Sequence, residues 1–362
     1  MVRTSCDIKL LSVLIFRQEH SPLIEIDTGH HINVIAFTPN GEYLAGGGDE
    51  GVQVWRVKDG KQVATMRVEC DGVYCVAVSK DSMWIAAGSF DGQVLVWDAA
   101  TYELILAHKT KKYAIADVDF SPDSTRLVTA SSNGTVIIWD IPARRQLRTI
   151  DYDGWLVAAK YSPQGDRIAT ASETHVRVLD GSGQRVLNEI EVGVIPWPRG
   201  LIWSDNHLFV VTNHNKIKRI VASVEPTISE WLVPHTDTSS CLALPRHGKF
   251  IAYSSRDTIT FWSTSRHTQL DLILHYNYIY SIAFSPDDQL LAIAAEKRKI
   301  VIKRLSFVTV RFMSYLSSIT YLHMNKSPLI LHTSHSRNQK SLLMALRSIH
   351  GKMDNLQMQK HY

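Results

Sequence analysis

Residues 115–150 read IADVDFSPDSTRLVTASSNGTVIIWDIPARRQLRTI. Ile115-Ala116-Asp117-Val118-Asp119-Phe120 alternates apolar and polar side chains, the pattern of a half-buried strand. Ser121-Pro122-Asp123-Ser124 is turn chemistry, and Arg126-Leu127-Val128-Thr129-Ala130 is a second strand. Asn133-Gly134 predicts a two-residue hairpin turn, with both central residues at positive φ. Val136-Ile137-Ile138-Trp139 is a third strand, β-branched and ending in an aromatic, and a fourth follows near Gln146 to Ile150.

The same grammar repeats on both sides of this stretch. Phe37, Val78, Phe120, Tyr161, Trp203, Leu244 and Phe284 each close an apolar run just before a turn, at spacings of 41, 42, 41, 42, 41 and 40. These residues are the anchors of the repeat. A second ladder, Trp55, Trp97, Trp139, Leu179, Ile220, Trp262 and Lys303, keeps step at 42, 42, 40, 41, 42 and 41. Four short antiparallel strands per period make one propeller blade, and no period contains a helix. Seven periods predict an all-β, seven-bladed β-propeller over residues 21–305.

The chain resembles the WD40-repeat family over about Ser21 to Arg304. The Trp-Asp dipeptide stands as Trp97-Asp98 and Trp139-Asp140, and degenerates to Leu179-Asp180, Trp55-Arg56 and Trp262-Ser263. The opening Gly-His appears once, as Gly29-His30; the turn acid appears as Asp49 and Asp91, with Asn133 in the same slot. Repeats five and seven are eroded to Lys216-Ile217-Lys218-Arg219 and Val301-Ile302-Lys303-Arg304. The resemblance implies a non-catalytic scaffold for a protein or peptide; the chain is expected to be cytoplasmic, with the nucleus left open. It also implies that a strand from the opposite terminus completes the last blade, because an unpaired edge invites aggregation. Leu23-Ile24-Glu25-Ile26 and Phe307 to Phe312 compete for that slot, and the N-terminal segment is favoured because it lies one period upstream of Val63 to Met66.

Outside the ring lie an N-terminal extension, residues 1–20, and a C-terminal tail, residues 306–362. The run Leu10 to Phe16 is too short to span a bilayer, and Arg17-Gln18-Glu19-His20 follows where a signal peptide would carry small residues. The tail holds seven Lys/Arg against the single acid Asp354, which leaves the rest of the chain at −2 of the formal +4. Such a ring offers no general field for nucleic acid. Leu342, Leu346, Ile349, Met353 and Leu356 line one face of a helix that Gly351 weakens, so the tail is expected to be disordered or a loosely docked helix.

The chemical motifs resolve into structure. Cys6, Cys70, Cys75 and Cys241 are too few and scattered for a disulfide framework or a zinc site. Gly46-Gly47-Gly48-Asp49-Glu50-Gly51 matches a dinucleotide fingerprint by letter, but the strand Val52-Gln53-Val54-Trp55 follows instead of a helix, so the glycines are assigned to a hairpin. No catalytic, metal or cofactor-binding residue is assigned. The enzymatic alternative is a quinone-cofactor dehydrogenase, a propeller class that resembles this chain less, since no calcium-binding carboxylates or vicinal cysteines stand out. A third reading makes the ring one module of a larger signalling assembly.

A ligand is expected where loops lead into the first strand of each blade. Six and four residues before the anchors stand His31 and Asn33 on repeat one, Tyr74 on repeat two, Trp155 on repeat four, Trp197 and Arg199 on repeat five, and Tyr278 and Tyr280 on repeat seven. Phe90 faces the same side from a neighbouring turn. Trp, Tyr and Arg combine large area with a polar handle, which suits a protein or peptide ligand. A membrane or nucleic acid would want more Lys/Arg, and the ring is expected to be monomeric.

Overall fold

A computed structural model describes residues 9–18, 22–110, 113–193, 200–212, 216–223, 225–233, 241–275 and 277–314. The ring lies within Ser12–Phe312. Blade three is Ile115–Phe120, Arg126–Ser131, Thr135–Asp140 and Arg145–Asp151, paired antiparallel in that order. The other inner strands are Ile32–Phe37, Val73–Val78, Leu156–Tyr161, Leu201–Ser204, Cys241–Ala243 and Ile279–Phe284, and each starts a sheet of four strands or more. No helix occurs among the described residues.

Seven apolar clusters occupy the seven seams between neighbouring blades. Val34, Val54 and Trp97 join blades one and two, for example, and Phe209, Trp231 and Tyr253 join five and six. The last seam joins the two ends of the chain: Ile32, Ile35 and Trp55 of blade one pack with Ala292, Ile300 and Ile302 of blade seven. Fully burying one such aliphatic side chain stabilises by about 1.5–3 kcal/mol. Stability is therefore spread around the ring, and Trp55, Trp97, Trp139 and Trp262 are all buried within it.

The ring closes as expected from the N-terminal side. Ile24–Asp27 pairs antiparallel with Lys299–Ile302, Ile26 facing Ile300, and Thr28 Oγ1 donates to the Arg298 carbonyl at 2.7 Å. Phe307 to Phe312 does not compete, because it prolongs the same third strand, Lys299–Ser314. That strand runs through the expected boundary at residue 306, and Lys9–Gln18 joins its sheet. The helical stretch expected from Leu342 to Leu356 lies outside the described residues.

Two turns differ from their sequence-based forms. In blade three, Gly134 N donates to the Ser131 carbonyl at 3.0 Å, so Ser132 and Asn133 are the central residues. Gly134 then takes φ +91°, while Asn133 stays out of the left-handed region. Asn133 instead accepts the Thr135 amide on its side-chain oxygen at 3.0 Å. Such a turn with a following left-handed glycine is an alternative to the tight two-residue form. In blade one, Gly46, Gly47 and Gly48 sit inside the strand Tyr43–Gly48 rather than in its hairpin. They are small for packing: a Cβ on Gly48 would lie 1.8 Å from the His31 carbonyl oxygen.

The acids of the repeat cap turns. Asp98 Oδ1 accepts the amides of Ala100 and Thr101, both at 2.9 Å, and these bonds lower its pKa. Asp140 takes the Ala143 amide at 3.0 Å. Asp91 accepts from Ser89 Oγ, Gln93 Nε2 and Lys109 Nζ. Burial works against its charge, but these donors prevail and hold its pKa at about 2.

Candidate functional site

On the upper face, where loops lead into the inner strands, a shared irregularity positions the predicted residues. In five blades the pairing of first and second strands slips by one residue, leaving Asn33, Tyr74, Ala116, Val157 and Tyr280 as bulges. These are the residues four before the anchors. A bulge bends the strand and re-aims its side chain, and here two of the five reach the next blade. Asn33 Nδ2 donates to the Val73 carbonyl at 2.9 Å, and Tyr280 meets His31 edge-on with ring centroids 4.3 Å apart.

Tyr278 lies 5.2 Å from Tyr280, so His31, Tyr278 and Tyr280 form one half-buried aromatic row across the closing seam. Burial first, then the Glu296 carboxylate, raises the Tyr280 phenol, which keeps it neutral and able to donate. On blade two Tyr74 packs 4.5 Å from Phe90. Tyr74 is only 8% exposed and serves as a support, whereas Phe90 is 41% exposed. Trp155 stands apart on blade four, 55% exposed. Trp197 and Arg199 lie outside the described residues, so their expected grouping with Trp155 has no geometry to report.

The opposite, lower face holds what the sequence reading overlooked. All seven anchors line two cavities there, of about 470 and 200 Å³, which share Lys80, Leu244 and Arg246. Beneath the mouth, blades three and four are clasped by charge. Asp117 accepts from Lys160 Nζ at 2.8 Å and from the Ala159 amide at 3.2 Å. Asp119 accepts the Tyr161 amide at 2.8 Å. Burial raises Asp119 to a pKa of about 6, partly offset by Lys160 and reinforced by Asp117. Burial opposes the charge of Lys160 as well, yet the two carboxylates hold its pKa above the ordinary lysine value.

The clasp follows a positional pattern. In several blades the residue three before the anchor reaches the next blade: Ser281 Oγ accepts the Ile35 amide at 3.3 Å, as Asp117 accepts that of Ala159. Cys75 and Cys241 occupy the same position and point their buried thiols at the carbonyls of Ile115 and Tyr280, at 3.3 and 3.0 Å. An inner strand has a free edge, and these side chains satisfy its backbone groups. Two acids in one inner strand, Asp117 and Asp119, opposite a lysine one period later were the available signal. Among the described residues no cluster of His, Cys, Asp and Glu is placed to hold a metal.

Comparison with known proteins agrees with this geometry. The family model for the WD domain, G-beta repeat, matches residues 21–56, 60–98, 101–140 and 267–302. Intraflagellar transport protein 122 homolog of Homo sapiens is 38% identical over 68 residues, which are 19% of this chain and 6% of that protein. A subunit of chromatin assembly factor 1 from Gallus gallus is 29% identical over 89 residues, 18% of this chain and 16% of that one. The alignments thus span less than a fifth of either relative. The β-propeller domain of Cps50 (Swd1) from Myceliophteria thermophila superimposes with a TM-score of 0.69 at 14% identity, over 79% of this chain and 99% of that domain, a likeness of fold.

Proposed function

This chain is a WD40-repeat β-propeller, and from that premise we propose that it is a non-catalytic scaffold holding a protein or peptide partner on its upper face. The observation that carries the reading is the aromatic row His31, Tyr278 and Tyr280, flanked by exposed Phe90. These side chains are held by bulges and by the closing seam, so little entropy is lost when a partner orders them. Trp155 offers a second anchor on blade four. Buried Tyr74 and bridging Asn33 fix the frame. The relatives are named as a transport protein and as part of an assembly factor, descriptions that fit a scaffold.

The test is affinity capture of partners by the full chain, compared with a Trp155→Ala/Tyr278→Ala variant. Truncating an interface hot spot costs on the order of 2 kcal/mol or more, so each captured partner should weaken at least about tenfold. An unchanged set of partners at unchanged affinity contradicts the upper-face assignment.

A further inference from the structure

The lower mouth is lined by a repeated turn whose exceptions are informative. In blades one, two, three, four, six and seven, the amide four residues past the anchor donates to the carbonyl one residue past it. The donors are Gly41, Ser82, Ser124, Gly165, Gly248 and Asp288, all at positive φ. The second residue of such a turn is the position that proline suits best, since its fixed φ is already correct. Four blades carry Pro39, Pro122, Pro163 and Pro286 there, and each lines one of the two lower cavities. Blades two and six carry Lys80 and Arg246 instead, and these two line both cavities.

Replacing proline by a flexible cation gives up rigidity in the turn. Among the described residues neither the Lys80 ammonium nor the Arg246 guanidinium has a hydrogen bond or ion pair. Among the nearby carboxylates, Asp288 accepts the amides of Arg246 and His247 at 2.7 and 3.2 Å and Asp117 holds Lys160, while exposed Asp205 lines only the larger cavity. Asp119 is bound to the Tyr161 amide and feels Lys80 only as a weaker neighbour than Lys160. Two positive charges against the single carboxylate of Asp288 therefore line the smaller cavity, whose walls include the apolar anchors Phe37, Leu244 and Phe284.

We propose that the lower mouth is a second docking surface, which takes an acidic side chain of a protein partner between Lys80 and Arg246. The carboxylate pairs with the two cations, and the adjoining backbone lies over the apolar anchors. None of the upper-face residues takes part, so the two surfaces stand or fall separately.

The experiment is fluorescence anisotropy of the full chain with a labelled hexaglutamate peptide at ~0.15 M salt, where only close charge contacts persist. Hexalysine and phosphoserine-containing peptides form the comparison arms. The variant is Lys80→Pro/Arg246→Ala: proline is what four sister turns carry, and alanine retains the amide that Asp288 accepts. Thermal unfolding checks that the fold is intact, and Lys80→Gln, which leaves the turn alone, reads the same contact independently. Hexaglutamate should bind, weaken at least tenfold in the double variant and several-fold in Lys80→Gln, and be unaffected by Trp155→Ala/Tyr278→Ala. Equal binding by wild type and double variant overturns the proposal. So does a preference for hexalysine, or binding confined to the phosphorylated peptide.

Discussion

Asp119 lines a cavity, sits two residues from a second buried acid, and shares Lys160 with it. Its folded pKa of about 6 lies above the ordinary value near 3.8. The folded state therefore holds this proton more tightly than the unfolded chain, and the contribution of Asp119 to stability falls as pH rises from about 4 to about 6. Carboxyl ¹³C NMR should show one aspartate titrating near 6, absent in Asp119→Asn and shifted upward in Lys160→Met. A shift downward in Lys160→Met would contradict the clasp. Asp91 behaves oppositely: its pKa of about 2 makes a contribution that is present above the unfolded value and lost as pH falls toward 2. Asp91→Ala should cost on the order of 1 kcal/mol at pH 7, since solvent screens the Lys109 pair, measured by denaturant unfolding, and progressively less below pH 4. At this scale the sequence showed which acids recur in turns, but not that Asp117 and Asp119 reach across a seam. The partner Lys160 is 43 residues from Asp117, and charged residues one period apart hint at the contact without saying which side chains meet.

A strand survives even where its signature letters are lost. Lys216–Val221 and Lys299–Ser314 lack the Trp motif, yet both form because Ile217, Ile220, Ile300 and Ile302 bury themselves in the adjoining seams. Period and alternation made these elements legible, since an apolar side chain every second residue is all a pleated surface requires. Bulges were not legible, because a one-residue slip depends on the crowded meeting of inner strands rather than on letters. They nonetheless fall on the residues four before the anchors, so the repeat spacing marks where they stand. Tyr74 shows the limit: the spacing sets it among the residues leaning toward the channel, but it is buried beside Phe90. The closing strand offers a direct test at this scale. Ile26 is 4% exposed against Ile300, so Ile26→Asn should cost about 2–4 kcal/mol in thermal or denaturant unfolding. An unaltered midpoint would mean that Ile24–Asp27 does not complete the seventh blade.

Seven seams of similar construction make the ring a frame on which loops of both faces hold fixed positions. The upper face carries an aromatic row and the smaller lower cavity has Lys80 and Arg246 against Asp288, so one ring presents two chemically different surfaces. Both depend on closure, since His31 and Tyr280 meet only across the seam between the first and last blades. The most direct measurement is therefore an engineered cross-link. Asp27 and Lys299 are exposed and paired in register, so Asp27→Cys/Lys299→Cys should form a disulfide in the folded protein on mild oxidation. The account predicts quantitative bridging, native circular dichroism and a higher unfolding midpoint than the reduced form. Failure to bridge, or bridging only with loss of the native spectrum, would contradict a ring closed by its N-terminal strand.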